Sequence, residues 1–159
     1  FLLNFPNGRI FTGDAGAYSI GFILGWLMIV LAEQNIEIAK WSLLSIVVWP
    51  VSDTIYSIYR RRINKAAPDK ADFLHFHHVV MRGWKILLRG RISQEKANPM
   101  ATLTILPLAL IPPTLGVIFI KVNWVGIIIV ILSALLYILT YKFLILALKS
   151  SRCRNIFRE

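Results

Sequence analysis

Four long apolar runs constrain the fold of this chain more than any other feature of its sequence. They lie at about 15–32, 38–59, 100–120 and 124–148, and each is close to the roughly 20 residues that a helix needs to cross a bilayer. Hydrophobic residues make up 57% of the chain, above the about 45–50% of a soluble domain. The sequence therefore predicts an all-α, polytopic membrane protein with four transmembrane helices.

Positive charge is concentrated in the segment 60–99 and in the tail after residue 148. The segment holds most of the Lys and Arg residues, whereas the two short connections on the other side hold Lys40 and Lys121. Because cytoplasmic loops carry the excess of Lys and Arg, we predict that a basic loop at 60–99 and the C-terminus are cytoplasmic. The net charge of +10 then reflects topology and contact with anionic lipids, and it requires no nucleic acid.

A single aspartate, Asp14, stands between glycines at the start of the first apolar run. A helix N-terminus offers unpaired N–H groups and partial positive charge, and flanking glycines allow close approach of the backbone. Asp14 is therefore placed either to cap the helix or to bind a divalent cation that in turn holds phosphates. Asn4, just upstream, is placed to supply a neutral ligand. The residues alone leave both roles of Asp14 open.

Three histidines, His75, His77 and His78, fall in the basic segment. On a helix His75 and His78 share a face, and on a strand His75 and His77 share one, so no regular element is expected to bring all three together. A zinc site is disfavoured, because zinc needs a fourth ligand and no cysteine lies nearby. Imidazoles among many cations suit an anionic ligand, and a solvated surface loop is the alternative.

The residues after the histidines, 79–92 (VVMRGWKILLRGRI), predict a basic amphipathic helix at the level of the lipid headgroups. Arg82, Lys85 and Arg89 recur at helical spacing among apolar residues. They serve either to anchor the chain on the cytoplasmic side or to bind a lipid phosphate.

Two further features lie inside the predicted spans. Asp53 is an ionisable residue in the second span, and such residues often mark a functional site. The alternative is a structural role, in which Asp53 accepts hydrogen bonds from Tyr56 or a neighbouring helix. Gly21 and Gly25 form a small-xxx-small pair, which predicts close packing of the first helix on another helix.

Three segments in register resemble the motifs of one enzyme family. They are residues 4–6 (NFP) with 10–16 (IFTGDAG), residues 50–54 (PVSDT) running on to 59–62 (YRRR), and residues 68–78 (PDKADFLHFHH). The chain thereby resembles the polyprenyl-phosphate N-acetylhexosamine-1-phosphate transferases, which include WecA-type and MraY-type enzymes. The HxHH spacing is similar to the WecA type.

This resemblance implies an Mg²⁺-dependent reaction, with Mn²⁺ as an alternative ion. A sugar-1-phosphate passes from a UDP-N-acetylhexosamine to a polyprenyl phosphate, UMP is released, and a lipid-linked glycan of the cell envelope is begun. Asp14 would be the catalytic and metal-binding residue, and the implied substrate-binding residues are Asn4, His75, His77, His78 and Arg82. The expected location is the bacterial inner membrane, with membrane lipids and a second copy of the chain as further candidate partners.

The family carries paired aspartates upstream of these motifs. Residues 1–159 are therefore interpreted as the C-terminal part of one integral membrane transferase domain, and we expect this part alone to be inactive. The rival hypothesis is a non-catalytic membrane protein for cation transport or lipid binding that uses the HxHH loop. Transport favours polar residues deep in several spans, and the third and fourth spans are interpreted as offering few besides Ser133 and Thr140.

Overall fold

The computed structural model of the chain describes residue 5 and residues 13–65, 74–89 and 91–149. All regular structure in these residues is helical, and the helices are α1 (Gly13–Gln34), α2 (Lys40–Ile63), α3 (Phe76–Leu87), α4 (Gln94–Ile118) and α5 (Asn123–Lys149). Helices α1, α2, α4 and α5 are long and apolar enough to cross a membrane. The prediction of an all-α membrane protein with four spans is confirmed.

The segment 60–99 contains more helix than the sequence indicated. Helix α2 continues to Ile63 and α4 begins at Gln94, so the connection between the spans is shorter than predicted. The amphipathic helix was placed at 79–92, whereas α3 begins at Phe76 and ends at Leu87. Arg89 has a φ of 52°, and a left-handed residue just after the last turn ends a helix.

Helix α2 packs on α4 and α5 through small side chains. A Cβ atom on Gly126 of α5 would lie 2.6 Å from the backbone nitrogen of Ser42, and one on Gly116 of α4 would lie 1.9 Å from the Oγ atom of Ser45. Both serines are buried, and the Ser45 hydroxyl donates a hydrogen bond to the Ser42 carbonyl at 2.6 Å. Glycine at these two positions allows the close helix approach that is common in membrane bundles.

The two short connections lie together at one end of the bundle. The Ala39 N–H donates to the Ile120 carbonyl at 2.8 Å, and Glu37 forms an ion pair with Lys121. Helix α3 and the C-terminal ends of α2 and α5 therefore lie at the opposite end. Because a short connection between long helices makes them antiparallel neighbours, we expect the start of α1, with Asp14, to lie at the α3 end as well.

Helix α1 differs from the others because none of its residues is buried. Tyr18 and Phe22 are 76% and 74% exposed, which suits a helix surrounded by hydrocarbon. No described atom lies within 4 Å of a Cβ built on Gly21 or Gly25. The predicted packing of this glycine pair is therefore not found among the described residues.

Candidate functional site

Asp53 of α2 joins three helices at the α3 end of the bundle. Its Oδ2 atom lies 2.9 Å from Nδ1 of His75, and its Oδ1 atom accepts hydrogen bonds from the Phe76 N–H at 3.1 Å and the Tyr137 hydroxyl at 2.6 Å. A carboxylate inside a span is costly unless donors of this kind compensate it. The sequence left open whether Asp53 marks a functional site or has a structural role. The geometry supports the structural role, and the hydrogen-bond donors come from α3 and α5 rather than from Tyr56.

The start of α3 is built around this carboxylate. His75 precedes the helix with φ −59° and ψ 152°, and no side-chain cap comes from its own residue. The first N–H groups of a helix have no partner within it, so Asp53 supplies an acceptor from another helix, and its charge suits the positive N-terminus. Because a carboxylate only accepts hydrogen bonds, Nδ1 of His75 carries the proton. Asp53 thereby orients the His75 ring.

The three histidines lie side by side. The ring centroids of His75 and His77 are 6.3 Å apart, and those of His77 and His78 are 4.0 Å apart. No single helix or strand holds all three of these residues. His75 occupies the extended residue before α3, whereas His77 and His78 lie in its first turn, and this change of backbone direction gathers the rings into one cluster.

The pKa of His77 is lowered from its ordinary value of 6.5. Solvent reaches part of the ring, but partial burial among its neighbours is the largest cause, followed by repulsion from His78 and His75, while Asp53 acts in the opposite direction. His77 is therefore neutral at pH 7 and presents one N–H donor and one acceptor nitrogen. A bound anion would raise the pKa again, so anion binding and proton uptake are coupled.

A second set of contacts fixes the segment before the histidines. The Tyr141 hydroxyl of α5 donates to the Leu74 carbonyl at 2.9 Å. Arg60 of α2 donates to the Tyr141 hydroxyl at 3.0 Å and to the Ser57 hydroxyl at 3.2 Å, and its guanidinium lies 5.8 Å from the centre of the Tyr141 ring. Helices α2 and α5 thus hold the backbone on both sides of His75.

The remaining predicted site residues are placed differently. Asp14 is exposed in the first turn of α1, and no hydrogen bond or ion pair joins its carboxylate to another described residue. Gly13 before it has a φ of +65°, a conformation that glycine adopts without strain. Arg82 is partly buried and lines a cavity with Arg60 rather than with the histidines. Asn4 lies outside the described residues.

The described residues can supply only some kinds of metal site. Among them, no group of three His, Cys, Asp or Glu side chains is placed to hold a metal ion. Both oxygens of Asp53 already accept hydrogen bonds, whereas Asp14 is accessible. Since Mg²⁺ is commonly held by one or two carboxylates together with waters and substrate phosphates, Asp14 fits an ion that it shares with a phosphate ligand.

Two tyrosines of α5 were missed as functional-site residues. Tyr137 and Tyr141 are 1% and 3% exposed, and with Ser133 they recur every four residues on the buried face of α5. The view that this span offers few polar groups besides Ser133 and Thr140 is therefore wrong. The four-residue spacing of hydroxyl-bearing side chains in an apolar run was the signal that could have found them.

Comparison with known proteins identifies relatives over part of their length. The chain is 33% identical over 82 residues to the undecaprenyl-phosphate alpha-N-acetylglucosaminyl 1-phosphate transferase of Haemophilus influenzae, and 34% identical over 88 residues to that of Pasteurella multocida. It is 28% identical over 130 residues to the protein of the same name from Salmonella typhi. The chain is thus similar, over part of its length, to proteins that carry this name.

Each match covers only part of this chain and a smaller part of the relative. They cover 48%, 50% and 81% of this chain, and 22%, 24% and 34% of the three relatives. The chain thus spans between about a fifth and a third of the length of the curated relatives it matches. No protein-family model and no solved structure matches it. The predicted resemblance to polyprenyl-phosphate N-acetylhexosamine-1-phosphate transferases is confirmed at the level of these named relatives.

Proposed function

We propose that this chain forms part of a membrane transferase that moves N-acetylhexosamine-1-phosphate from a UDP-sugar to a polyprenyl phosphate and releases UMP. The observation that carries the proposal is the histidine cluster, which Asp53 anchors at the cationic end of a four-span bundle. The names of the partial homologues support it independently. The reaction takes place on the cytoplasmic side of the bacterial inner membrane and begins a lipid-linked glycan of the cell envelope.

The chemistry needs charge neutralisation and positioning above all. An oxygen of the polyprenyl phosphate attacks the phosphorus atom that bears the sugar, the bond from that phosphorus to the bridging oxygen breaks, and UMP leaves with the bond's electron pair. Asp14 would hold Mg²⁺, which when bound offsets the negative charge of the phosphates. His75, His77 and His78 bind the nucleotide-sugar phosphates, Arg82 adds positive charge at the same end of the bundle, and Asn4 lines the site.

Asp53 acts in this proposal as a positioning residue. It fixes the tautomer and orientation of His75 and the start of α3, so that the neighbouring imidazoles stand ready to donate hydrogen bonds. Such preorganised donors are effective because they need no rearrangement when the substrate arrives. Loss of Asp53 should therefore impair turnover without removing any group that touches the substrate.

The proposal is tested by UMP release from UDP-N-acetylglucosamine by the intact protein in detergent, with Mg²⁺ and a polyprenyl phosphate. We expect Asp14→Asn to lower the rate by about 100-fold or more, as expected for loss of a group that neutralises phosphate charge. Arg62→Gln, which removes an exposed cation at the same end of the bundle, is the matched control and should change the rate less than about twofold. Near-normal release from Asp14→Asn would refute the role of Asp14.

The rival reading as a cation transporter predicts a different metal. Since polar tyrosines do lie inside α5, the polarity of the spans no longer distinguishes the two hypotheses. Elemental analysis of the purified protein does so directly. Zinc retained in a one-to-one ratio and lost in His77→Ala would favour the HxHH metal gate, whereas UMP release that depends on Mg²⁺ alone supports the transferase.

A further inference from the structure

The apolar face of α3 is buried within the bundle. Phe76 and Val79 are 3% and 0% exposed, and they belong to one apolar cluster with Ala101 of α4 and Tyr137 of α5. A basic amphipathic helix commonly lies on a membrane by its apolar face, but in this chain that face packs against α4 and α5. Contact between α3 and the bilayer must therefore come from the rest of its surface.

Exposed apolar surface remains at the C-terminal end of α3. Leu87 and Leu88 are 69% and 36% exposed, and they line a recess of about 430 Å³ together with Arg89, Arg91 and Ile92. We call these five residues the α3–α4 turn. Single exposed leucines are common in proteins, so the charge and the position of the turn decide what this surface contacts.

The charge around the α3–α4 turn is positive. Within residues 85–96 of the sequence, Lys85, Arg89, Arg91 and Lys96 are cationic, whereas Glu95 is the one acidic residue. Arg89 and Arg91 are both exposed. A membrane surface that contains anionic lipids attracts basic segments that lie beside a spanning helix. Exposed leucines between such cations match the apolar and the anionic layers of that surface.

The α3–α4 turn also lies at the height of the membrane surface. Helix α4, which is long and apolar enough to span the membrane, begins at Gln94, shortly after the turn. The Lys85 ammonium donates a hydrogen bond to Oε1 of Gln94 at 3.3 Å. Leu87 lines an apolar cavity with Leu148, which lies beside the end of α5. The turn is therefore level with the ends of two spanning helices.

We propose that the α3–α4 turn anchors α3 to an anionic bilayer surface. Leu87 and Leu88 enter the outermost acyl layer, and Arg89 and Arg91 contact the headgroup layer. The partner is the surface of the bilayer and not an individual lipid molecule, so the inference does not rest on the proposed transferase activity. Because two of the three histidines lie in the first turn of α3, the anchor restrains the helix that carries them.

Electron paramagnetic resonance of the intact protein in vesicles tests the insertion. Spin labels are placed at Leu87→Cys and, as a control, at Lys65→Cys, an exposed position just after α2, each in a Cys153→Ser background. The vesicles hold equal parts of phosphatidylglycerol and phosphatidylcholine. We expect the ratio of oxygen access to aqueous nickel-chelate access to be at least about fivefold higher at residue 87, because a side chain about 5–10 Å inside the interface is shielded from the chelate.

Two results at residue 87 would overturn the insertion. The first is access of the chelate equal to that at residue 65, which would place the turn in water. The second is a label that neither reagent reaches, which would mean that protein and not lipid covers the turn.

Amide hydrogen exchange in the last turn of α3 measures the contribution of the charges. Exchange is compared in vesicles of phosphatidylglycerol and in vesicles of phosphatidylcholine with the same acyl chains. We expect exchange to be about tenfold or more slower in phosphatidylglycerol, since each arginine near an anionic surface contributes about fivefold. The double variant Arg89→Gln/Arg91→Gln should remove most of this difference.

The matched control is Arg62→Gln/Lys65→Gln, which removes two exposed cations beside the end of α2. It should change the difference between the two lipids by less than about twofold. Equal exchange of the unmodified protein in both lipids would overturn the proposal, as would an equal loss of the difference in both double variants. Circular dichroism of the double variants in each lipid checks that their helices are retained.

Discussion

Helices α1 and α3 both begin with residues that are predicted to bind the substrate, yet they are held in different ways. The start of α3 is fixed by Asp53 of α2 and by Tyr137 and Tyr141 of α5. The start of α1 carries Asp14 on an exposed helix with no buried residue. The histidine half of the proposed site is thus built by contacts within the described residues, whereas the position of the carboxylate half depends on the topology of the chain alone.

The largest difference between the two helix starts should appear when each aspartate is removed. We expect Asp53→Ala to lower the free energy of unfolding by about 3 kcal/mol, because three donors from two other helices lose their acceptor. Asp14→Ala should cost less than about 1 kcal/mol, since an exposed carboxylate in the first turn contributes mainly through the helix dipole. Unfolding in denaturant, followed by circular dichroism, gives both values.

A graded variant checks that hydrogen bonding is the cause of the Asp53 effect. Tyr137→Phe removes one of the three donors and keeps the packing of the ring, so it should cost about 1 kcal/mol. Tyr18→Phe on exposed α1 is its control and should have no measurable effect. If Asp53→Ala and Asp14→Ala destabilise the protein equally, the contrast between the two helices is wrong.

Glycine substitutions should destabilise the protein more in the packed helices than in α1. We expect this difference in stability to be smaller than the one between the two aspartate variants. Gly126→Ala places a Cβ atom 2.6 Å from the backbone nitrogen of Ser42, and backbone atoms cannot move aside easily, so we expect a loss of about 2 kcal/mol. Gly25→Ala meets no described atom within 4 Å and should change stability by less than about 0.5 kcal/mol. A large loss from Gly25→Ala would instead reveal a helix packed on α1.

The smallest effect concerns pH and the docking of α3. Because the pKa of His77 is lowered in the folded protein, the undocked helix binds the proton more tightly. Docking is therefore most stable above the ordinary pKa of 6.5 and weakens as the pH falls below it toward the lowered value. Amide hydrogen exchange of residues 76–87, corrected for the intrinsic pH dependence, should rise by less than about tenfold between pH 7 and pH 5.

The variant His77→Gln supplies the control for this pH effect. A glutamine keeps a donor and an acceptor but does not titrate, so its corrected exchange should be nearly flat over the same range. An unchanged pH dependence in His77→Gln would assign the effect to another group. Helix α1, with no histidine, should show no such dependence in either protein.

The spans could be predicted from the sequence because they depend on long-range averages of hydropathy. The extent of α3 could not, since its start is fixed by Asp53, a partner 23 residues away along the chain from Phe76. The exact arrangement of the three histidines could not be predicted from periodicity for a related reason. Their arrangement depends on one extended residue, His75, at a helix boundary, and periodicity describes only residues within regular elements.

The role of Asp53 could be predicted in part from the sequence. A lone carboxylate in a span had to find donors, and a neighbouring helix was named as one source. Tyr137 as the specific donor required the register of α2 against α5, which Gly126 and Ser42 set through their close contact. Such contacts are tertiary, so no single segment of the sequence records them.

The central claim is that Asp14 and the histidine cluster lie at one face of the membrane and form a single site. Double electron–electron resonance between spin labels at Ala15→Cys and His77→Cys, in a Cys153→Ser background, tests it directly. Since α1 is 22 residues long, or about 33 Å, its two ends are easily distinguished. We expect a distance below about 20 Å for this pair and above about 30 Å for Glu33→Cys with His77→Cys. The reverse order of the two distances would contradict it.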